Sequence, residues 1–302
     1  MVNTLSAASK ARLYLFIALS ASVLVSIYGI IEHFFPYVHY PYGSQFFYRI
    51  YERGFFYHDS NHFAAYLMFS ASIFFGLFLY SQKNNLLRLC FFGAILVLLP
   101  ALFWTYSRSA YVALFISALI ISGFKSRKIL VFTIIFLIFF VFILAPSSIL
   151  ERINSFKSTI LNSDPHGSSI AYRIQQINYA FETFWQHPLF GIGLGSRERV
   201  FYENQFMMFL SETGLLGLSL FLGILAGVFF VAISLYKATK DMFIRGLCAG
   251  FIGGFTGLLL ESNTIIVFVA SRIMIPFWII TGILFWFYLR ERLVQADGLK
   301  KA

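Results

Sequence analysis

GLLGLSLFLGILAGVFFVAISLY, residues 214–236, is a run of 23 residues without a charge. A helix needs about 20 such residues to cross the hydrocarbon of a bilayer. Working outward from it, uncharged or nearly uncharged runs recur at 13–31, 63–80, 89–106, 109–124, 129–146, 246–262 and 273–289. The run at 109–124 is short, and 246–262 is broken near its end by Glu261. The chain is 59% hydrophobic and only 12% charged over 302 residues, too few charges to clothe a soluble surface of that size. The expected fold is therefore all-α: one polytopic membrane domain over 1–302 with about eight transmembrane helices. The first apolar run continues to Ile31, past a usual signal-peptide core, which favours a retained helix over a cleaved leader.

Charge tests the topology. With the N-terminus inside and the helices alternating, 14 of the 23 basic residues fall in inside segments, as the positive-inside rule asks. The C-terminus is then inside as well. Eight of the nine basic residues left outside are Arg, whereas eight of the 14 inside are Lys. Arg presents a planar fork that grips phosphate through two bonds and does not lose its proton, so an outer face rich in Arg points to anion recognition. Snorkelling interface anchors are the plainer alternative for any one of them. The net charge of +10 mostly reflects inside loops facing anionic lipid and does not imply a nucleic-acid partner. Cys90 and Cys248 have no CxxC spacing, which leaves no disulfide framework or zinc site. No metal and no cofactor is expected.

Two outside segments are too long for simple turns, Glu32–His62 and Ser147–Glu203. The first is crowded with rings, FFPYVHYPYGSQFFYRIYERGFFYHD at 34–59, which suits either a headgroup-level aromatic belt or stacking on sugars. The second is a large external loop over 147–203. Inside it Ile170, Ile174, Ile177, Phe181, Phe184 and Trp185 recur at helical spacing. This predicts an interfacial amphipathic helix that starts at Ser168 or Ser169, stops before Pro188 and carries Arg173 in its first turn. HPLFGIGLGS (187–196) follows, with Gly191 and Gly193 serving either a packing turn or an anion-binding run of amides.

Four elements stand in order: RGFFYHDSNHFAAYL (53–67), TYSRSAYVALF (105–115), Arg173 with HPLFGIGLGS, and ENQFMMFLSETGLLGL (203–218). Together they resemble the O-antigen ligase and polymerase superfamily of bacterial membrane proteins, over roughly residues 50–290. Gly54, Asn61 and Ala64 match the family's first element, and Thr105, Ser107, Arg108 and Ala110 its second. Asn204, Glu212, Gly214 and Gly217 keep the spacing of its last. Two features depart from the pattern. Glu203 stands where the family ligases have His, and against the family's usual ten to twelve helices the expected eight leave the chain short of several at its N-terminus.

The resemblance implies a metal-independent glycosyl transfer in the bacterial inner membrane, with its active face periplasmic. The donor would be an undecaprenyl diphosphate-linked glycan and the acceptor a hydroxyl on lipid A core or a similar glycan. Membrane lipids and polysaccharide-assembly proteins would be the other partners. Such chemistry needs cations on the diphosphate leaving group and a base at the acceptor hydroxyl. Arg108 and Arg173 match the first role and Glu203 the second, with His187 or His166 as rival bases. Arg108 has a structural ion pair as its alternative. Arg53, Asn61, His187, Gly191, Gly193, Asn204 and Arg272 are candidate substrate contacts; Glu212, Gly214 and Gly217 are structural candidates. An O-antigen polymerase is the near alternative. A transporter of anions or lipid-linked sugars, or an inactive shortened relative, are further ones.

Overall fold

A computed structural model describes residues 8–34, 59–81, 84–144, 169–195 and 202–299. Nine α-helices, and no strand, occur among the described residues: α1 (Ala8–Phe34), α2 (Ser60–Tyr80), α3 (Asn85–Trp104), α4 (Arg108–Lys125) and α5 (Arg127–Leu144), then α6 (Ser169–Gln186), α7 (Gln205–Ala238), α8 (Met242–Glu261) and α9 (Ser271–Leu299). Among the described residues, seven helices are long and apolar enough to cross a membrane: α1, α2, α3, α4, α7, α8 and α9. The protein is thus all-helical with the architecture of a polytopic membrane protein. The expected span at 129–146 falls on α5, and its last two residues lie outside the described residues.

Boundaries differ from the apolar runs where polar residues cap or continue a helix. Asp59 begins α2, its Oδ1 accepting the Asn61 amide at 2.9 Å, and Asn84 begins α3 by accepting the Leu87 amide at 3.1 Å. The difference that bears on the site is at α7. It begins at Gln205, nine residues before the apolar run at 214, and bends at Gly214 (φ 64°, ψ −163°).

The chain divides into two compact units. Unit 1 comprises Met1–Lys125, Ile224–Glu261 and Val267–Ala302; unit 2 comprises Ser126–Gly223 and Ser262–Ile266.

In unit 1, α8 lies against both α2 and α4, and α2 also meets α3. Lipid is as apolar as a leucine side chain, so helices in a membrane associate through close packing rather than through escape from water. Glycines make that possible here. A Cβ on Gly76 would stand 2.4 Å from the Gly246 carbonyl oxygen, and one on Gly250 would stand 2.7 Å from the Cα of Ile73. The α4 side is joined by Ser117, whose hydroxyl donates to the Gly253 carbonyl at 2.7 Å. Beyond the glycines, Phe69, Phe251, Phe255 and Phe277 form an aromatic cluster with ring centroids 5.1–5.9 Å apart. All four rings are buried.

Unit 2 has a smaller core. Ala180 of α6 is buried with Tyr202 and Met208, and Tyr179, Met207, Phe209 and Ile266 pack against them.

Candidate functional site

The interfacial helix expected after Ser168 is α6, ending at Gln186. Arg173 falls at the start of its second turn rather than in its first. The helix is amphipathic in an inverted sense. Gln176, Ala180 and Thr183, spaced i, i+4, i+7, are buried, while Ile174, Phe181 and Trp185 are exposed. The inward face is small and polar, and the outward face is apolar. The exposed strip continues past the helix through Leu189, Phe190 and Leu194.

The buried face of α6 holds Glu203. Arg173 donates from Nε to Glu203 Oε2 at 2.7 Å. Three residues on, Gln176 accepts the Glu203 backbone amide through Oε1 at 2.9 Å. An Arg and a Gln at i and i+3 share one helix face, so the two grips come from the same side. One fixes the carboxylate and the other fixes the backbone that carries it. The pair is part-exposed, and its attraction contributes at most about 1 kcal/mol. Its value is geometric. The bond uses one carboxylate oxygen and one guanidinium N–H, and among the described residues no hydrogen bond or ion pair takes Oε1 or the terminal nitrogens of Arg173. Gln176 Nε2 is buried and makes no hydrogen bond among the described residues. A buried donor left unmade costs about 1–3 kcal/mol, which a ligand acceptor would recover. Nothing in the sequence reading singled out Gln176; the signal was its place three residues after Arg173.

Immediately after Glu203, Asn204 caps α7. Its Oδ1 accepts the amides of Phe206 at 2.9 Å and Met207 at 3.1 Å, and its Nδ2 donates to the Asn263 carbonyl at 3.4 Å. Gln205 donates its amide to the Ser262 carbonyl at 2.8 Å. The side chain expected to contact substrate thus builds the start of a helix and ties it to the segment after α8. Tyr202, on the other side of Glu203, donates to Ser211 Oγ at 2.8 Å. Burial, helped by Tyr179 and Glu212, pushes the Tyr202 phenol up against the lowering effect of that bond, so it stays a neutral donor.

The glycine-rich turn and the bend in α7 complete each other. A helix broken at Gly214 leaves carbonyls and amides without helical partners. Ile192 and Gly193 donate to the Ser211 and Glu212 carbonyls at 3.0 Å each, and Leu215 and Leu216 donate to Pro188 at 2.9 Å and Leu189 at 3.2 Å. Gly191 donates to the His187 carbonyl at 3.0 Å, and His187 itself donates to Thr183 at 3.0 Å to close α6. The amides of Gly191 and Gly193 thus both make main-chain hydrogen bonds. The fit is tight: a Cβ on Gly191 (φ 68°) would meet the Ser211 carbonyl at 2.5 Å, and one on Gly214 would meet the Leu189 carbonyl at 2.5 Å. Gly217 leaves room for Thr213, whose Oγ1 would lie 2.1 Å from a Cβ there. Glu212 is buried within the same bend.

Three further candidates fall in unit 1. Asn61, Arg108 and Arg272 each occupy the first turn of a helix, in α2, α4 and α9. Arg108 follows a tight turn. Thr105 Oγ1 donates to the Leu102 carbonyl at 2.6 Å and accepts the Ser107 amide at 3.3 Å, and Tyr106 takes a left-handed conformation (φ 53°). Among the described residues Tyr106 is the only non-glycine with positive φ, a strained state that clusters at functional sites. Arg53 and His166 lie outside the described residues, as does the aromatic stretch 35–58. No cluster of three potential metal ligands occurs among the described residues.

Residues 93–222 match the family model described as O-antigen ligase. The match supports the superfamily that the four ordered elements resemble. It runs from within α3 to within α7, narrower than the span of those elements. The matched segment includes the Tyr106 turn, Arg108, α6, the glycine joint, Glu203 and the Gly214 bend, while Asn61 and Arg272 lie outside it. No curated protein matches the chain.

Proposed function

We propose that this protein transfers glycan from an undecaprenyl diphosphate carrier to an acceptor hydroxyl, at the periplasmic face of a bacterial inner membrane. The observation that carries the reading is the clamp on Glu203. A carboxylate at the position of the family's His is held by Arg173 through its side chain and by Gln176 through its backbone. The acceptor oxygen attacks the anomeric carbon of the donor while the bond from that carbon to the diphosphate oxygen breaks. Glu203 takes the acceptor proton through Oε1, and the diphosphate leaves as an anion. The terminal nitrogens of Arg173 neutralise the charge that grows on it. The apolar outer strip of α6 suits a helix lying in the leaflet that holds the carrier. Lipid A core or a similar glycan supplies the acceptor.

The test is Arg173→Ala, Glu203→Gln and Glu203→His in cells, with surface polysaccharide resolved on gels and expression checked by blot. Arg173→Ala and Glu203→Gln abolish the transferred glycan, and Glu203→His retains it. Unchanged ladders in Arg173→Ala at normal expression overturn the proposal. The presence of Glu rather than His favours one second reading, a polymerase that joins repeat units. Under it, the variants leave single repeat units on the acceptor instead of none.

A further inference from the structure

The ends of α2 and α4 away from Asn61 and Arg108 carry a second charged site, within unit 1. Tyr80 closes α2, and its hydroxyl lies 2.8 Å from that of Tyr236 near the end of α7. Tyr236 donates in turn to the Phe124 carbonyl of α4 at 2.7 Å. With Tyr236 donating there, the proton of the Tyr80 hydroxyl fills the first bond. Around this aromatic floor stand three cations, each against a ring. Lys125 Nζ is 4.1 Å from the Tyr80 centroid, the Arg245 guanidinium is 5.3 Å from that of Tyr236, and the Arg88 guanidinium is 5.0 Å from that of Phe78. The charges of Arg245 and Arg88 both bear on Lys125.

None of the three cations forms a salt bridge among the described residues. The nearby acids are otherwise engaged. Asp241 pairs with Arg12 at 2.6 Å, and Glu291 accepts from Thr239 at 3.1 Å. Lys125 and Arg245 are half-buried. Like charges gathered at a half-buried site without a carboxylate repel one another and lose hydration. Ring faces offset that in part, by about 0.5–2 kcal/mol each. An anion would offset the rest.

The geometry points to a binding site for the phosphate of an anionic phospholipid, formed by Lys125, Arg245 and Arg88 over the Tyr80–Tyr236 pair. The cations sit at the ends of helices long enough to span a membrane, which is the depth of lipid headgroups. That placement favours a lipid over a soluble phosphate. The site rests on no part of the transfer reaction proposed above.

The experiment uses the full chain in detergent, titrated with phosphatidylglycerol, with neutral phosphatidylcholine and with inorganic phosphate. The readouts are melting temperature and lipid retained by native mass spectrometry. Phosphatidylglycerol raises the melting temperature and stays bound, and phosphatidylcholine does neither. Lys125→Gln with Arg245→Gln weakens phosphatidylglycerol retention roughly thirtyfold, at about fivefold for each cation near the surface. Lys237→Gln with Lys240→Gln removes two exposed charges near the same end and leaves retention within a factor of about two, since exposed charges are screened by salt. Lys125→Arg keeps the charge and binding, which separates loss of the site from misfolding. Equal protection by phosphatidylcholine, or equal loss in the two double variants, overturns the site. Protection by inorganic phosphate alone overturns the lipid assignment and leaves an anion site for a soluble phosphate.

Discussion

Glycine does opposite work in the two units. Along the α2–α8 seam of unit 1 it removes volume so that two straight helices can touch backbone to backbone, as at Gly76 and Gly250. At the joint of unit 2 it supplies backbone angles, so that α7 can bend at Gly214 and receive the 187–195 turn. The seam brings backbone against backbone at Gly76 and Gly250, whereas the joint is held by four main-chain hydrogen bonds between turn and bend. Contact is sensitive to any added atom. Hydrogen bonds to a bend are sensitive to the dihedral that creates it.

The largest expected effect is at the seam. Gly76→Leu places carbon against backbone on the facing helix, where neither side can yield, and costs about 3 kcal/mol or more. It is read as lost monodisperse protein on size exclusion and a collapsed melting curve. Gly93→Ala is its counterpart on α3, where an added Cβ meets nothing within 4 Å. That change favours the helix by up to about 1 kcal/mol. Equal stability of the two variants breaks the seam argument.

Gly214→Ala tests the joint and ranks second. The φ of 64° and the Leu189 carbonyl 2.5 Å from the new Cβ together cost roughly 1–3 kcal/mol. The loss is local: limited proteolysis cuts the 187–195 turn faster while the unit 1 core keeps its protection. Gly193→Ala, at φ 102° with open space around it, carries only the dihedral term and exposes the turn less. Global unfolding of Gly214→Ala with no early cut in the turn would remove the distinction drawn between seam and joint.

Most of the fold was legible because apolar runs read directly as lengths of helix. The spans at 63–80, 109–124 and 273–289 each lie within an observed helix. What escaped was whatever depends on a partner distant in sequence. The start of α7 at Gln205 rests on the Asn204 cap and the Ser262 carbonyl, which no periodicity reports. The seam was written as glycines at 246, 250 and 254, four apart on one face, yet a span is recognised by hydropathy and its packing face is not. In the site, Arg173 and Glu203 were singled out separately. Their pairing across 30 residues, and the role of Gln176, needed the helix face that only the folded chain displays.

Third in size is Tyr106→Gly, in unit 1 two residues before Arg108. Relief of the left-handed strain stabilises the turn by about 1 kcal/mol, a small rise in melting temperature. Transfer that falls while stability rises shows that the strained turn serves function rather than the fold. A variant with lower stability shows that the ring, not the dihedral, holds the turn.

The smallest effect concerns Asp59 at the start of α2. Burial alone raises its carboxyl, but the bond and charge from His62, with the Asn61 and His62 amides, outweigh that and hold it below the ordinary 3.8. A carboxyl depressed by folding contributes stability that is fully present above 3.8 and fades as pH falls through the lower folded value. Asp59 is 38% exposed, so solvent screening keeps the contribution below about 1 kcal/mol. Asp59→Asn keeps an acceptor for the Asn61 amide but carries no titrating charge. The wild type is therefore the more stable of the two near neutrality, and the difference in melting temperature closes as pH falls below 3.8. A difference that instead widens toward acid pH would mean that the His62 contact favours the neutral carboxyl. The start of α2 beside Asn61 would then be held by hydrogen bonding alone, as the joint of unit 2 is.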